Sequence, residues 1–376
     1  MRMVAAVMHA QGLPTPYAES QPFHIEEVDL DGPGEGEVLV EVRAAGLCHS
    51  DLSQVAGLSR RTLPVVGGHE GAGIVRELGA GVDWLHVGDH VVMTVATGCG
   101  HCRLCADNRG LLCESVAAAR GQGLLTNGRR HLSRGTAPYY HYAGISSFAQ
   151  YAVTVPSSLV RIDPAVPLDV AALFGCAVVT GAGCVLNAAK VRPGQSVAVL
   201  GLGGVGLNAV MAARASGASD VIGIDVNPQR FELARELGCT MTLLAGDTNL
   251  VAQVRERCSG GVDFAFEISG NPTAMATANA ITRKGGEVVC VGLGSVSQLY
   301  QYSHASLVLE EKVFRGTFMG SCVPERDIPR FVRLYQDGKL PVDRVMSGTM
   351  GFAELNAGLD RLDRGEAVRQ ILLPHG

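Results

Sequence analysis

Ser196-Val-Ala-Val-Leu-Gly-Leu-Gly-Gly-Val-Gly206 is the stretch on which the fold turns. Ser196 to Leu200 (SVAVL) reads as a buried apolar strand, and Gly201, Gly203 and Gly206 then fit G-x-G-x-x-G, with Leu202, Gly204 and Val205 between them. That pattern means little unless a strand precedes it and a helix follows. Both conditions hold, because an alanine-rich helical stretch runs over Gly204 to Ser216. The glycines allow a tight turn and a close approach of backbone to a pyrophosphate, which the free N–H groups and positive end of the helix then hold. Asp225 ends the next apolar run, nineteen residues beyond Gly206. A carboxylate there accepts hydrogen bonds from both hydroxyls of an adenosine ribose and repels a 2′-phosphate, so the reading favours NAD over NADP.

Outward from this loop the pattern repeats. Asp220 to Ile224 (DVIGI) leads to a helical stretch over Pro228 to Leu237, and Val262 to Glu267 and Glu287 to Val291 continue the series. Strands alternating with helices predict a doubly wound parallel sheet covered on both faces. Residues 1 to about 178 differ, with short β-like runs at Glu37 to Val42, Gly73 to Val75 and His90 to Thr94 set among glycine turns. They predict a mostly-β domain of barrel or sandwich type. Near 325 the alternation ends, and the tail holds one helical stretch and the strand-like Gln370 to Leu373.

A chain of 376 residues is long enough for two domains, and 47% hydrophobic residues supply ample core. Charged residues make up 18% and the net charge is −5, with both signs mixed along the chain. Nucleic acid and anionic membrane are disfavoured as partners, since both select basic faces. The opening MRMVAAVMHAQG lacks the pattern of a secretory signal, and no window approaches a spanning run of ~20 apolar residues. The cytoplasm is the expected location.

The most specific chemistry lies in TGCGHCRLCADNRGLLC, residues 97–113. Two residues separate Cys99 from Cys102 and Cys102 from Cys105, and seven separate Cys105 from Cys113. Thiolates so spaced turn onto one tetrahedral Zn²⁺ and leave no position for water, which predicts a structural metal site. Disulfides fit these spacings poorly. Cys184, Cys239, Cys258, Cys290 and Cys322 are scattered and read as small hydrophobes.

Three further stretches complete a pattern: GLCHSDL with Cys48, Ser50 and Asp51; GGHEGAG with His69 and Glu70; and ALFGCAVVTGAG with Cys176. Together with the four-cysteine lobe and the glycine loop, in this order, they resemble the zinc-dependent medium-chain alcohol dehydrogenases. The resemblance runs from about residue 5 to the C-terminus and is close to the longer, liver-type branch, judged by the length from Cys113 to the motif SSFAQY. It implies a GroES-like catalytic domain (1–178 and 325–376, with the structural zinc lobe at about 97–115), interrupted by a Rossmann NAD-binding domain (179–324), with substrate in the cleft between them. It implies two zinc ions per chain, the catalytic one on Cys48, His69 and Cys176 with water or alcohol oxygen fourth. Glu70 matches an acid able to approach that metal, Asp51 the acid that orients the ligand histidine, and Ser50 the hydroxyl that takes the alcohol proton. His49, Arg230 and Arg369 fall at cofactor-binding positions. The implied chemistry is reversible: zinc lowers the pKa of an alcohol, and hydride passes from its carbon to the nicotinamide. A homodimer through edge strands near Leu293 to Tyr302 is also implied.

The departures are specific. Ser53 stands where the liver-type branch closes its proton relay with histidine, and serine is no base there. His49 replaces a pyrophosphate-clamping arginine, although other branches use histidine too, and its neutral imidazole is a candidate to accept the proton that Ser53 cannot. Ser59 and Ala117 replace the aspartate and arginine of the glutathione-dependent formaldehyde branch, which argues against that activity. Val95 replaces a phenylalanine beside the zinc, leaving room for a bulkier, aromatic or branched alcohol. A polyol or hydroxy-amino-acid substrate would call for polar walls. A non-catalytic zinc-stabilised nucleotide-binding protein would have a degraded Cys48/His69/Cys176 set, and this set is whole.

Overall fold

The computed structural model describes residues 1–95, 98–295 and 297–376. Two compact units emerge: Met1–Cys176 with Val323–Val332 and Val342–Gly376, and Ala177–Cys322 with Arg333–Pro341.

The first unit is built from two sheets. Strands Arg2–Met8, Phe23–Leu30, Leu132–Arg134, Ala137–His141 and Val65–Val66 close into a barrel. The second sheet runs Leu159–Arg161, His90–Met93, Gly71–Leu78, Val38–Leu47, Arg369–Leu372, Met346–Met350, and Tyr151–Thr154 also pairs with Val38–Leu47. Val38–Leu47 is the organising strand. It extends five residues beyond the expected end at Val42, because it is covered on both faces and buried at nine of its ten positions. Ala44, Ala45 and Gly46 are residues of low strand propensity, so the sequence does not mark the end that packing sets.

The register of this sheet decides where the chemistry sits. Val38–Leu47 pairs antiparallel with Gly71–Leu78, Ala45 opposite Gly71, and with Arg369–Leu372, Leu47 opposite Gln370. The end of the first strand therefore lies beside the beginnings of the other two. Cys48 directly follows the first, His69 and Glu70 directly precede the second, and Arg369 opens the third. Met93, which ends His90–Met93, pairs with Gly71 and brings Thr94 to the same end.

The second unit is a six-stranded parallel sheet in the order Met241–Leu244, Asp220–Asp225, Ser196–Leu200, Val262–Glu267, Thr282–Cys290, Val313–Gly316. The chain winds outward from Ser196–Leu200 in one direction, returns, and winds outward in the other. This is the Rossmann arrangement, whose ligand crevice opens at the carboxyl ends of the two strands where the order reverses. Gly201 and Asp225 stand at or just past the ends of two central strands. Asp263 ties two of them together by accepting from the Ser196 N–H (2.7 Å) and Oγ–H (2.9 Å).

One expectation is corrected here. No described residue of 293–302 lies in a strand; Val296 is outside the described residues. The outer strand on that side is Val313–Gly316. Tyr300 and Tyr302 instead fold back against Phe314, with ring centroids 6.4 and 4.7 Å away. Among the described residues, no single helix is long and apolar enough to cross a membrane.

Candidate functional site

The sulfurs of Cys48 and Cys176 and a ring nitrogen of His69 converge to within 4.8 Å of one another. Each is fixed by its backbone. Cys48 caps the helix His49–Val55, and its N–H donates to Asp51 Oδ2 at 2.9 Å. The other Asp51 oxygen lies 3.1 Å from His69 Nδ1. One buried carboxylate thus caps a helix and aligns a histidine on the neighbouring strand, positioning two of the three converging groups. Nδ1 donating to Asp51 leaves the Nε2 lone pair directed away from it, and Nε2 is buried with no hydrogen-bond partner. A buried, unpaired imidazole nitrogen facing two cysteines is what a zinc ligand looks like, so these residues fit the metal.

Cys176 is held differently. It follows a short 3₁₀ turn, Leu173–Gly175, and Thr94 Oγ donates to the Gly175 carbonyl at 2.8 Å. A Cβ on Gly175 would run into the Met93 carbonyl. The sequence reading missed Thr94 and Gly175; the only local signal is a glycine directly before the cysteine.

Electrostatics follow the packing. A hydrogen bond from Cys176 pulls the Cys48 thiol well below its ordinary value against the cost of burial, helped by the Arg369 charge. Cys176 is correspondingly raised, first by that same hydrogen bond and then by burial. Glu70 is fully buried, and burial pushes its carboxyl up to about 7 despite the Arg369 charge. Arg369 Nη1 donates to Glu70 at 2.8 Å and to the Leu47 carbonyl at 3.2 Å, while Nε and Nη2 are buried without hydrogen-bond partners. Ser50 Oγ lies 3.8 Å from the Cys48 sulfur. His49 opens the same helix on its exposed side.

The four-cysteine lobe also assembles. The sulfurs of Cys99, Cys102, Cys105 and Cys113 lie within 4.8 Å of one another, at 3.5 Å for Cys102–Cys105 and 3.9 Å for Cys102–Cys113. Thr97, at the expected start of the lobe, is outside the described residues. The lobe is folded on itself by Gly98 N–H to Gly110 O (3.1 Å) and Cys113 N–H to Gly110 O (3.0 Å). Backbone N–H groups of His101 and Cys102 draw Cys99 down to about 6. Cys102 receives a favourable backbone N–H from Cys105, yet the neighbouring thiols push it up to about 11. Four sulfurs this close ionise together only around a cation, which the donor set of a closed zinc site supplies.

In the second unit, Gly206 packs so closely on the Gly201 carbonyl that a Cβ would overlap it, whereas nothing stands within 4 Å of the Cβ position on Gly203. The helix Gly204–Ala215 starts there and gives Val205 and Gly206 to its first turn. Asp225 Oδ2 accepts from the Leu202 N–H at 2.5 Å and Oδ1 from the Asn227 N–H at 2.8 Å. Arg230 ends the short turn Pro228–Arg230; burial lowers its pKa and the Asp225 charge opposes this. The residues chosen from sequence for the glycine loop are therefore together, and the open face at Gly203 is a cradle a dinucleotide fits.

Comparison with known proteins agrees with this architecture. Residues 34–164 match the alcohol dehydrogenase GroES-like domain, and residues 204–337 match the zinc-binding dehydrogenase model. The chain is 37% identical over 377 residues to the NDMA-dependent alcohol dehydrogenase of Amycolatopsis methanolica, covering 99% of each. Among solved structures it resembles an alcohol dehydrogenase zinc-binding domain protein from Burkholderia ambifaria (35% identity, TM-score 0.93, 100% of both chains). It also resembles benzyl alcohol dehydrogenase from Acinetobacter calcoaceticus (33% identity, TM-score 0.92, 99% of both). Two zinc-competent ligand sets and a dinucleotide loop on these two folds define a zinc-binding dehydrogenase. The chain belongs to the zinc-dependent medium-chain alcohol dehydrogenases, oxidoreductases that act on alcohols.

Proposed function

We propose that the protein is an NAD-dependent zinc alcohol dehydrogenase interconverting a primary or secondary alcohol, aromatic or bulky alcohols included, with its aldehyde or ketone. The observation that carries this is the convergence of buried Cys48 and His69 with half-buried Cys176, with His69 Nε2 unpaired and Nδ1 against Asp51. Bound there, zinc supplies the positive charge that acidifies an alcohol, and NAD supplies the hydride acceptor. The chain's own residues do the rest. Cys48, His69 and Cys176 hold the metal, Asp51 fixes the His69 tautomer, and Ser50 takes the alcohol proton. Arg369 pairs with Glu70 and offsets part of the cost of burying a carboxyl close to the metal ligands. Cys99, Cys102, Cys105 and Cys113 hold the second, structural zinc.

Gly201, Gly203, Gly204, Val205 and Gly206 receive the pyrophosphate, and Asp225 with Arg230 the adenosine ribose. We assign His49 and Arg369 to the cofactor phosphates as well. The domain limits expected from sequence, 1–178 with 325–376 and 179–324, are kept for these roles. Val95, small where a larger side chain would close the site, supports the aromatic alcohols, in line with the benzyl alcohol dehydrogenase relative. Eleven cysteines without a disulfide support a reducing compartment, the cytoplasm. Exposed Leu293, Leu299, Val308 and Leu309, together with the outer strand Val313–Gly316, support a homodimer. A sedimentation mass equal to one chain at micromolar concentration would contradict it.

The test of function is NADH formation by purified, zinc-loaded protein across primary, secondary, aromatic and terpenoid alcohols. Oxidation of at least one class with NAD is expected. Absence of turnover with every class, or equal efficiency with NADP, would overturn the activity or the cofactor assignment respectively.

A further inference from the structure

The glycine loop and Asp225 serve one half of a dinucleotide, and the other half needs walls of its own. A Rossmann sheet offers two mononucleotide halves, one on each side of the point where its strand order reverses. Ser196–Leu200 and Asp220–Asp225 lead to the loop and the acid on the adenosine side. The nicotinamide half then falls to the carboxyl ends of Val262–Glu267 and Thr282–Cys290, parallel neighbours with Glu267 opposite Cys290.

Glu267 ends the first of these strands, and its side chain turns inward, at 4% exposure. Its Oε1 accepts from the Ser269 N–H at 2.8 Å, the Ser269 Oγ–H at 2.5 Å and the Gly270 N–H at 3.0 Å; Oε2 lies 3.1 Å from that last N–H. Ser269 Oγ accepts in turn from the Asn271 N–H at 3.3 Å, and Asn271 Oδ1 from the Thr273 N–H at 2.8 Å, capping the helix Pro272–Ile281. One carboxylate thus starts a relay that fixes the backbone from the strand end to the helix.

The turn held in this way is packed on both sides. The Glu267 carbonyl accepts from the Val291 N–H (2.8 Å) and the Gly292 N–H (3.0 Å). A Cβ on Gly292 would overlap the Gly270 nitrogen, and one on Gly270, whose φ is +70°, would crowd the Gly294 nitrogen. Toward the glycine loop, the Cβ position of Gly201 lies 3.4 Å from the Ser269 nitrogen. Residues 268–271 therefore stand between the glycine loop and residues 291–294. A buried carboxylate this close to a pyrophosphate loop is unfavourable through desolvation and like charge. Charge-assisted hydrogen bonds from three donors offset that cost and hold Ser269 and Gly270 in one arrangement.

We infer that Glu267 is a positioning residue for the cofactor, setting the turn 268–271 as the wall that receives the nicotinamide half. This rests on the NAD-dependent reading above and deepens it. Glu267 acts through Ser269 and Gly270 and has no part in hydride transfer.

The test is calorimetric binding of AMP, which probes the adenosine half, and of NADH to zinc-loaded wild type and variants. Glu267→Gln offers one acceptor oxygen in place of two and sets an amide NH₂ against the Gly270 N–H. It should weaken NADH by about tenfold and leave AMP unchanged, so that the NADH-to-AMP affinity ratio falls. Ser269→Ala, at an exposed position that leaves the core intact, should lower the same ratio by about threefold and stands in if the first variant does not fold. A merely structural carboxylate would weaken both ligands together; an unchanged ratio in the folded variants overturns the inference. Failure of wild type to bind either nucleotide would overturn it along with the cofactor assignment. Absence of alcohol oxidation by a protein that binds NADH strikes the activity alone, and the ratio still decides the role of Glu267.

Discussion

The two cysteine clusters of this chain are made of similar ligands and built in opposite ways. Cys99, Cys102, Cys105 and Cys113 come from a single short lobe whose turns bring the sulfurs together, and the groups that lower Cys99 are backbone N–H groups two and three positions along. Cys48, His69 and Cys176 come from three separate places: antiparallel strands bring the first two together, and the turn Leu173–Gly175 delivers the third. The groups that tune Cys48 are side chains from elsewhere, Cys176 and Arg369. A closed set of four thiolates has no vacancy for substrate and serves the fold. A set of three leaves one coordination position for chemistry and depends on the fold for its geometry.

The largest expected effect separates the two outright. Cys48→Ala should lower turnover by about a thousandfold or more while the protein stays folded, since it removes a ligand of the open site. Cys105→Ala should instead destroy the folded protein, because binding at a closed thiolate site is itself folding free energy. Circular dichroism and elemental analysis read both outcomes, with two zinc ions per wild-type chain. Active wild type with one zinc or none would erase the distinction.

Next come the residues that position the open set without touching metal. Asp51→Asn keeps the shape but weakens the hold on His69, and should cost about 10- to 100-fold in activity or catalytic zinc affinity, with the lobe still loaded. Gly175→Ala should shift Cys176 away from the Met93 carbonyl and lower kcat by a similar factor. Normal turnover in both variants would mean that the open site tolerates displacement as the lobe does.

A smaller effect is expected at the cofactor. Asp225→Gly should narrow the preference for NAD by removing the charge that repels a 2′-phosphate while Arg230 remains to meet it. Steady-state constants with both cofactors check this; an unchanged ratio would show that Asp225 serves only the Leu202 and Asn227 N–H groups it bonds.

The smallest effects concern His49 and Ser53. His49→Arg should tighten NADH and slow its release a few-fold, through a permanent charge and a forked donor set. Stopped-flow release rates test it, and an unchanged rate removes His49 from the clamp. Ser53→His should move the pH profile of turnover toward neutrality where proton transfer limits the rate, because imidazole titrates in that range. An identical profile would leave proton release to other groups.

The sequence by itself determined whatever is local. Spacing alone named the four-cysteine lobe, and strand, glycines and acid in order named the nucleotide loop, because each function is built within a few turns of contiguous chain. The strand Ser196–Leu200 begins and ends where its residues indicate. Cys48, His69 and Cys176 could be picked from sequence only through resemblance, since no spacing rule links residues so far apart. Tertiary structure alone decided the rest. The register that sets Ala45 opposite Gly71 and Leu47 opposite Gln370 gathers cysteine, histidine, glutamate and arginine at one sheet end. It also put a threonine and a glycine behind Cys176, and made Val313–Gly316 the outer strand rather than the described residues of 293–302. The physical reason is that pairing between distant segments is fixed by the packing of whole faces, and no short window of sequence carries that information.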